Sequence, residues 1–201
     1  MNTVFCVIGK SSSGKDSLAK SLAKKCGLIF MVPCTTRPMR PGESDGKECF
    51  FLSEKEYGSE DIICDTKFDS VHGVWSYGYK RMTKNELNIE TPYIAVVSPK
   101  QFNMMEDEYK GVVNLIGLYI DADEEERMVH AILRERQKTS PDYDELCRRF
   151  LADAADFNYN NPEMKKMKQH VHIVTNDFKM TIDEIADEVI YTFRNIIERN
   201  N

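Results

Sequence analysis

A phosphate-binding loop near the N-terminus is the feature that most constrains the fold of this chain. Residues 9–17 read Gly-Lys-Ser-Ser-Ser-Gly-Lys-Asp-Ser, which contains the spacing Gly-x4-Gly-Lys. The loop follows the apolar run 4–8 and precedes a segment with helical spacing of apolar residues. In such a loop several backbone N–H groups converge on phosphate oxygens, and the next helix adds its positive N-terminal end. The pattern therefore predicts a buried strand, a phosphate loop and a helix in that order.

Several positions of this loop have an expected chemical role. Gly9 and Gly14 allow the tight turn and the close approach of a phosphate group. Lys15 can reach the β- and γ-phosphates of a nucleoside triphosphate. Because Asp16 follows the lysine directly, Ser17 is the hydroxyl that we expect to bind Mg²⁺ or a phosphate. The predicted nucleotide-binding residues of the loop are Gly9, Ser11, Ser12, Ser13, Gly14, Lys15, Asp16 and Ser17.

The rest of the chain continues an alternation of strands and helices. Apolar runs that are typical of buried strands occupy residues 28–32, 93–97, 112–120 and 171–174. Helical patterns follow the capping residues Ser53, Thr83, Ser98, Asp123 and Thr181. The helix after Asp123 carries the apolar residues Met128, Val129, Ile132 and Leu133. We therefore predict an α/β fold of the P-loop NTPase type, in which helices flank a parallel sheet.

We predict one domain over residues 1–201, with two insertions in an α/β core. The first insertion is rich in glycine and proline, and its second half has the aromatic residues of a small sheet. The second insertion is a charged segment interrupted by Ser140-Pro141. The predicted parts are a core of residues 1–32, 83–133 and 158–201, a subdomain of residues 33–82, and a lid of residues 134–157.

Charge and cysteine usage narrow the expected partners and compartment. The net charge is -6, which does not favour nucleic acid or an anionic membrane as a partner. Six cysteines are scattered without a Cys-x-x-Cys pair, so we expect neither a disulfide framework nor a zinc site. The N-terminal apolar run is too short for a signal peptide, and no stretch approaches transmembrane length. The expected location is the cytoplasm.

A second block and six smaller matches carry a resemblance to a known family. Residues 35–43 read Thr-Thr-Arg-Pro-Met-Arg-Pro-Gly-Glu, and this block follows the phosphate loop. The smaller matches are Asp45-Gly46, Phe51-Leu52-Ser53 and Tyr77-Gly78, followed by Arg136, residues 146–149 and residues 174–177. In these residues, which are in the family's order and span nearly the whole chain, the sequence resembles guanylate kinase.

The resemblance implies roles for the arginines. Arg37, Arg40 and Tyr77 correspond to residues that hold the phosphate of the acceptor monophosphate, for which a planar guanidinium is well suited. The resemblance also implies that Arg136 and Arg149 of the lid lie over the transferring group. Arg134 is a further candidate, and Asn176 is expected beside the base of the donor ATP. The catalytic residues implied by the resemblance are Lys15, Arg37, Arg136 and Arg149.

The positions that read guanine in the family depart from its pattern. The family's first two base-reading residues fall at Pro33 or Cys34 and at Cys64 or Asp65. The third and fourth fall at Tyr79 and Ser98, and a second tyrosine of the phosphate cluster is replaced by Cys49. The acceptor-binding residues implied by the resemblance are therefore Arg37, Arg40, Asp65, Tyr77, Tyr79 and Ser98.

The resemblance implies a guanylate kinase-like transfer of the γ-phosphate of ATP to GMP or dGMP, giving GDP and ADP. ATP and Mg²⁺ are the expected cofactors, and nucleotides are the expected partners of a monomer or homodimer. Two alternatives remain open, because the base-reading positions depart from the family. One is a kinase of this fold for another nucleoside monophosphate or ribose 1,5-bisphosphate. The other is a catalytically weak guanylate kinase-like binding module.

Overall fold

The computed structural model describes residues 2–40 and 42–197. Pro41, which is part of the block 35–43, lies outside the described residues. The strands are β1 (Asn2–Gly9), β2 (Ile29–Phe30), β3 (Cys34–Thr35), β4 (Phe50–Phe51), β5 (Ile62–Ser70), β6 (Gly73–Lys80), β7 (Tyr93–Val97), β8 (Val113–Ala122) and β9 (Val171–Asn176). The helices are α1 (Lys15–Cys26), α2 (Glu54–Ser59), α3 (Lys84–Leu87), α4 (Pro99–Glu108), α5 (Glu124–Arg136), α6 (Tyr143–Asp156), α7 (Pro162–Met167) and α8 (Ile182–Ile197).

The larger sheet has five parallel strands in the order β2-β7-β1-β8-β9. The central strand β1 is buried along its whole length, as expected for a strand covered on both faces. Its neighbours are β7, where Val4 pairs with Tyr93, and β8, where Val4 pairs with Leu115. The predicted parallel sheet is therefore confirmed, and the end of β1 at Gly9 opens into the phosphate loop.

Helices cover both faces of this sheet. On one face Leu18 of α1 and Ile185 of α8 share a core with Phe5 of β1. On the other face Phe102 of α4 and Met164 of α7 share a core with Cys6 of β1. Capping boxes begin several helices: each cap side chain accepts from the N3 backbone N–H, and the N3 side chain accepts from the cap's own N–H. These boxes are Ser53 with Glu56, Thr83 with Glu86, Ser98 with Gln101 and Thr181 with Glu184.

A second sheet lies within the predicted subdomain of residues 33–82. It has four strands in the order β4-β3-β6-β5, and β5 and β6 form an antiparallel hairpin. The pairing shifts between Ile63 and Thr66, where Cys64 adopts a positive φ of 57°. Such a bulge changes the direction of the neighbouring side chain, here Asp65, from the one that the regular alternation of a strand would give it. Tyr79 on β6 is part of the hydrophobic core beneath the larger sheet and therefore connects the two sheets.

Helix α5 departs from the usual rule that apolar residues of a helix face the core. Its apolar residues are 39 to 47% exposed: Met128, Val129, Ile132 and Leu133. The residues that it buries are instead Arg127, Ala131 and Glu135. Polar contacts with the phosphate loop and the lid therefore orient this helix. In the part of the chain that the structure describes, no helix combines the length and apolarity needed to cross a bilayer.

Candidate phosphoryl-transfer site

The phosphate loop leaves the first turn of α1 open toward solvent. Gly14 is the N-cap residue of α1, with a φ of 90° and no side chain that could cap the helix. The unpaired N–H groups at such a terminus, together with the helix dipole, favour an anion. A Cβ at Gly9 would meet Ser13 Oγ at 2.5 Å, so only glycine fits beside the returning loop. The predicted strand, loop and helix are confirmed, and their geometry suits a phosphate group.

Lys15 lies at this open helix terminus and is weakly held by the protein. Its Nζ atom is 3.5 Å from the carbonyl oxygen of Lys10 and 3.6 Å from a carboxylate oxygen of Asp16. These long contacts leave the ammonium free to pair with a phosphate. Ser17 lines a neighbouring cavity of about 410 Å³, together with Gly14. Asp16 itself is exposed on the first turn of the helix.

A cleft of about 90 Å³ lies between the phosphate loop, the block 35–43 and the lid. Ser11 and Ser12 of the loop line one wall, and Arg40 lies on another. Arg134 at the end of α5 and Arg149 on α6 also line the cleft. Arg134 Nη2 donates a hydrogen bond of 3.1 Å to Ser12 Oγ. Three arginines that are far apart in the sequence therefore face the phosphate loop.

Arg37 is buried and held in a fixed orientation by its neighbours. Its guanidinium donates two parallel hydrogen bonds to Glu43, at 2.9 and 3.0 Å, and Nε donates to Tyr77 Oη at 3.0 Å. The guanidinium also lies 5.2 Å from the centre of the Phe51 ring. Burial alone would lower the pKa of Arg37, but the bonds to Glu43 and Tyr77 outweigh it and raise the pKa. Arg37 therefore stays charged and fixed.

Arg40 has a different electrostatic setting, although it is only three residues away. Its backbone N–H donates to Glu43 at 2.8 Å, whereas its guanidinium makes no ion pair within the described residues. The guanidinium is exposed at the cleft, yet partial desolvation lowers its pKa, and the positive charges of Arg37 and Arg149 lower it further. Three positive charges that repel one another at a cleft are relieved when an anion binds between them.

Glu145 organises the lid side of the cleft. It accepts hydrogen bonds from Arg148 and from Arg149, and also from the backbone N–H of Val71 at the tip of the β5–β6 hairpin. Burial alone would raise the pKa of Glu145, but these hydrogen bonds and the arginine charges lower it to about 2. One carboxylate therefore orients Arg149 and also joins the lid to the second sheet.

The free energy of unfolding of Glu145→Gln is expected to fall less than that of wild type as the pH is lowered. Because the folded pKa of Glu145, about 2, lies below the ordinary glutamate pKa of 4.5, its charge stabilises the fold above pH 4.5, and this contribution is lost as pH falls toward 2. We expect Glu145→Gln to cost about 1 to 3 kcal/mol at pH 7 and little near pH 2. Urea unfolding at both pH values, with the exposed Glu125→Gln as a control, measures this difference. A constant difference across the range would contradict the prediction.

The structure places the other predicted lid and donor residues as follows. Arg136 is exposed at the end of α5 and does not line the cleft, a place that Arg134 takes. Asn176 is buried, and its Nδ2 donates a bond of 3.0 Å to the carbonyl oxygen of Ser13. Asn176 also lines the cavity beside Ser17. Through this hydrogen bond, Asn176 at the end of β9 connects that strand to the phosphate loop.

The three predicted base-reading side chains lie in unlike environments. Asp65 is exposed and accepts a hydrogen bond of 2.8 Å from Tyr57 Oη. Tyr79 is 2% exposed, and its hydroxyl donates to the backbone carbonyl of Val96 at 2.6 Å. Ser98 is the N-cap of α4 and accepts from the N–H of Gln101. Asp65 alone among these three therefore has a side chain directed to solvent.

Several residues of the site carried no prediction of their own. Glu43 lies in the predicted block 35–43, and its contact with Arg37 could have been inferred from opposite charges six residues apart. The contacts of Glu145 with Val71 and of His72 with Asp142 join residues that are 74 and 70 positions apart. No local sequence pattern predicts these two contacts. The hydrogen bond from His72 Nε2 to Asp142 is 2.8 Å long. Like the Val71 contact, it joins the hairpin tip to the start of α6.

Solved structures identify the class of fold. A guanylate kinase from Anaplasma phagocytophilum superposes with a TM-score of 0.58 over 96% of this chain and 85% of that chain, at 21% identity. A sugar kinase from Janibacter sp. HTCC2649 superposes with a TM-score of 0.50 over 100% of this chain and 98% of that chain, at 12% identity. This chain thus shares the fold of these two solved structures, a parallel sheet flanked by helices.

The sequence comparisons give similarity over part of the chain. Residues 1–68 match the family model described as guanylate kinase, the family that the sequence resembles. The guanylate kinase of Thermotoga maritima is 46% identical over 55 residues, or 27% of each chain. That of Bordetella pertussis is 38% identical over 80 residues, or 39% of this chain and 37% of the relative. The matched segments thus span only 27 to 37% of the length of these relatives.

Proposed function

We propose that this protein is an ATP-dependent nucleoside-monophosphate kinase that transfers the γ-phosphate of ATP to GMP or dGMP. The observation that carries the proposal is the cleft in which Arg40, Arg134 and Arg149 face the phosphate loop. A kinase of this type must bring two phosphates in line and neutralise their charge. The similarity of residues 1–68 to guanylate kinase supports GMP as the acceptor.

The donor side of the proposed site is the phosphate loop. Backbone N–H groups at the start of α1 bind the phosphates, and Lys15 pairs with the β- and γ-phosphates. The neighbouring cavity of about 410 Å³, lined by Gly14 and Asn176, is large enough for the rest of the nucleotide. Arg134 adds a positive charge where the γ-phosphate leaves the loop, because it is already bonded to Ser12.

The acceptor side is the face formed by the second sheet and the lid. Arg40 and Arg149 hold the acceptor phosphate. Arg37, which is buried and fixed by Glu43 and Tyr77, adds positive charge to the same face. The acceptor phosphate is itself the nucleophile, so the reaction needs no strong general base. Its oxygen forms a bond to the γ-phosphorus, the bond to the β–γ bridging oxygen breaks, and ADP and GDP are the products.

A magnesium ion fits this chain's donor site on chemical grounds. Mg²⁺ binds oxygen ligands, usually one or two from the protein with the remainder from water and phosphate. The Ser17 hydroxyl lies at the cavity next to the loop, and it is the residue that would hold the ion. When bound, Mg²⁺ would supply positive charge that neutralises the donor phosphates. Within the described residues, no group of three or more His, Cys, Asp and Glu side chains forms a metal site of its own.

A kinase of the same fold with another phosphorylated acceptor is a second candidate. The specific observation in its favour is the state of the base-reading positions. The Tyr79 and Ser98 hydroxyls are both used within the protein, on the Val96 carbonyl and on a helix N-terminus. Asp65 alone among the predicted base-reading side chains points to solvent. The acceptor would then be held mainly through its phosphate by the arginines.

An ATP-consumption assay across a panel of acceptors tests the two candidates against each other. The panel contains GMP, dGMP, AMP, UMP, CMP, dTMP and ribose 1,5-bisphosphate, each with ATP and magnesium. We expect turnover with GMP and dGMP only. Turnover with another member alone would contradict the guanine assignment and support the second candidate. Binding of ATP without turnover on any acceptor would contradict catalysis and favour a binding module.

A further inference from the structure

The phosphate loop contains a residue with an unfavourable backbone conformation. Ser12 has a positive φ of 61°, which costs a non-glycine residue energy unless its surroundings hold it there. Side chains from other elements hold all three serines of the loop. Arg134 bonds to Ser12 Oγ and Asn176 bonds to the carbonyl oxygen of Ser13. The contacts to Ser11 are the most extensive of the three sets.

A buried ion pair binds both backbone polar groups of Ser11. The Asp153 carboxylate on α6 accepts the Ser11 N–H at 2.8 Å, and its other oxygen lies 3.3 Å from Ser11 Oγ. Arg127 Nη1 on α5 donates to the Ser11 carbonyl oxygen at 2.7 Å and to Asp153 at 2.8 Å. The two charged side chains thus hold the peptide groups on either side of Ser11.

The surroundings of this pair make it a rigid support. Arg127 is 2% exposed, and its guanidinium lies 4.1 Å from the centre of the Phe150 ring, which shields it from water. Arg127 Nη2 donates to Glu124 at 2.6 Å, and Glu124 also pairs with Lys10 of the loop. A buried ion pair is weak evidence for added stability, because desolvation offsets the attraction. Its contacts here point to a role in fixing the geometry of the loop.

We propose that Arg127 and Asp153 are positioning residues that hold the phosphate loop in its phosphate-binding conformation before the donor arrives. The inference rests on the proposed function, because it takes the loop to be the donor site. Neither side chain is needed as a phosphate ligand: Arg127 is enclosed, and Asp153 is an anion. By holding Ser11 they keep the strained Ser12 in place, so donor binding does not have to supply that energy. They also connect the loop to both helices that carry the cleft arginines.

Donor affinity in variants of Asp153 tests this role. The probe is ADP with magnesium, titrated calorimetrically against wild type, Asp153→Ala and Asp153→Asn. We expect Asp153→Ala to weaken ADP binding and raise the KM for ATP by about tenfold, which corresponds to the lower part of the strain range for one left-handed residue. The kcat and the KM for the acceptor should change little. Asp153→Asn retains an acceptor oxygen for the Ser11 N–H and should keep most of the affinity.

A double variant separates positioning from general stability. Arg127→Met with Asp153→Leu removes both charges but keeps apolar volume, and such replacements often preserve stability. We expect it to fold and to bind ADP as weakly as Asp153→Ala. Wild-type affinity in a folded variant, or a loss of affinity that tracks lower thermal stability and a higher acceptor KM, would contradict the positioning role. Failure of the wild-type protein to bind ADP would instead contradict the proposed function.

Discussion

Replacement of Lys15 by alanine should lower the rate of phosphoryl transfer by at least about 10²-fold, the usual loss when one charge-stabilising group is removed. The structure gives the reason, because among the described residues the Lys15 ammonium has only long contacts, to Lys10 and Asp16. Its charge is therefore available to the phosphates of the proposed donor, and we expect it to neutralise the negative charge that develops on the leaving β-phosphate oxygen as transfer proceeds. The measurement is kcat and KM for ATP in the acceptor assay.

The fold of the Lys15→Ala variant should remain intact, since the lost contacts are long and the side chain is partly exposed. Lys25→Ala is a matched control on the same helix. Its ammonium pairs with Asp187 at 2.6 Å, at the end of α1 that points away from the loop. We expect the control to transfer phosphate at the wild-type rate and to lose little stability, because exposed ion pairs contribute little. Near-normal activity of Lys15→Ala would contradict the donor site.

The sequence predicts the core of this fold well where local chemistry decides it. The apolar run before Gly9 becomes the buried central strand β1, and Ser98 and Thr181 begin helices as predicted. These features depend on hydrogen bonds within three or four residues or on a continuous apolar run. The strand predicted over 28–32 is shortened to β2 (Ile29–Phe30), because pairing with β7 decides its length.

The sequence predicts the surroundings of the loop poorly, because long-range ionic contacts determine them. Periodicity would direct Met128 and Ile132 of α5 into a core, yet both are exposed. The helix instead buries Arg127, which pairs with Asp153 from another helix. A prediction from the spacing of apolar residues cannot detect a buried ion pair. The places where the periodicity fails are therefore the places where α5 and α6 contact the phosphate loop.

The lid shows the same limit at the level of single arginines. Arg134 and Arg136 are two residues apart, so on a helix they point in directions about 200° apart. Only one of them can face the cleft, and the structure places Arg134 there. Which arginine faces inward depends on how α5 is rotated, and Arg127 sets that rotation through its contact with Ser11. The block 35–43, by contrast, places Arg37 beside Glu43 through a short turn.

The second large effect is expected at Arg40 and concerns the acceptor. Arg40→Ala should raise the KM for the acceptor about ten- to a hundredfold, the loss of about 1.5 to 3 kcal/mol that one hydrogen bond to a charged group contributes. The KM for ATP should stay near its wild-type value. Arg40 is a cleaner test than Arg37, because loss of Arg37 would leave Glu43 without its partner and disturb the fold.

The charges around Arg40 sharpen this test. Its guanidinium lies near Arg37 and Arg149 and makes no ion pair in the described part of the chain, so we expect an acceptor phosphate to balance its charge. Arg40→Lys keeps the charge but loses the planar fork, and we expect an intermediate KM. Arg81→Ala, which removes an exposed arginine paired with Asp61, is the control and should leave both KM values unchanged. If Arg40→Ala raised the KM for ATP and for the acceptor equally, the assignment of this face to the acceptor would be wrong.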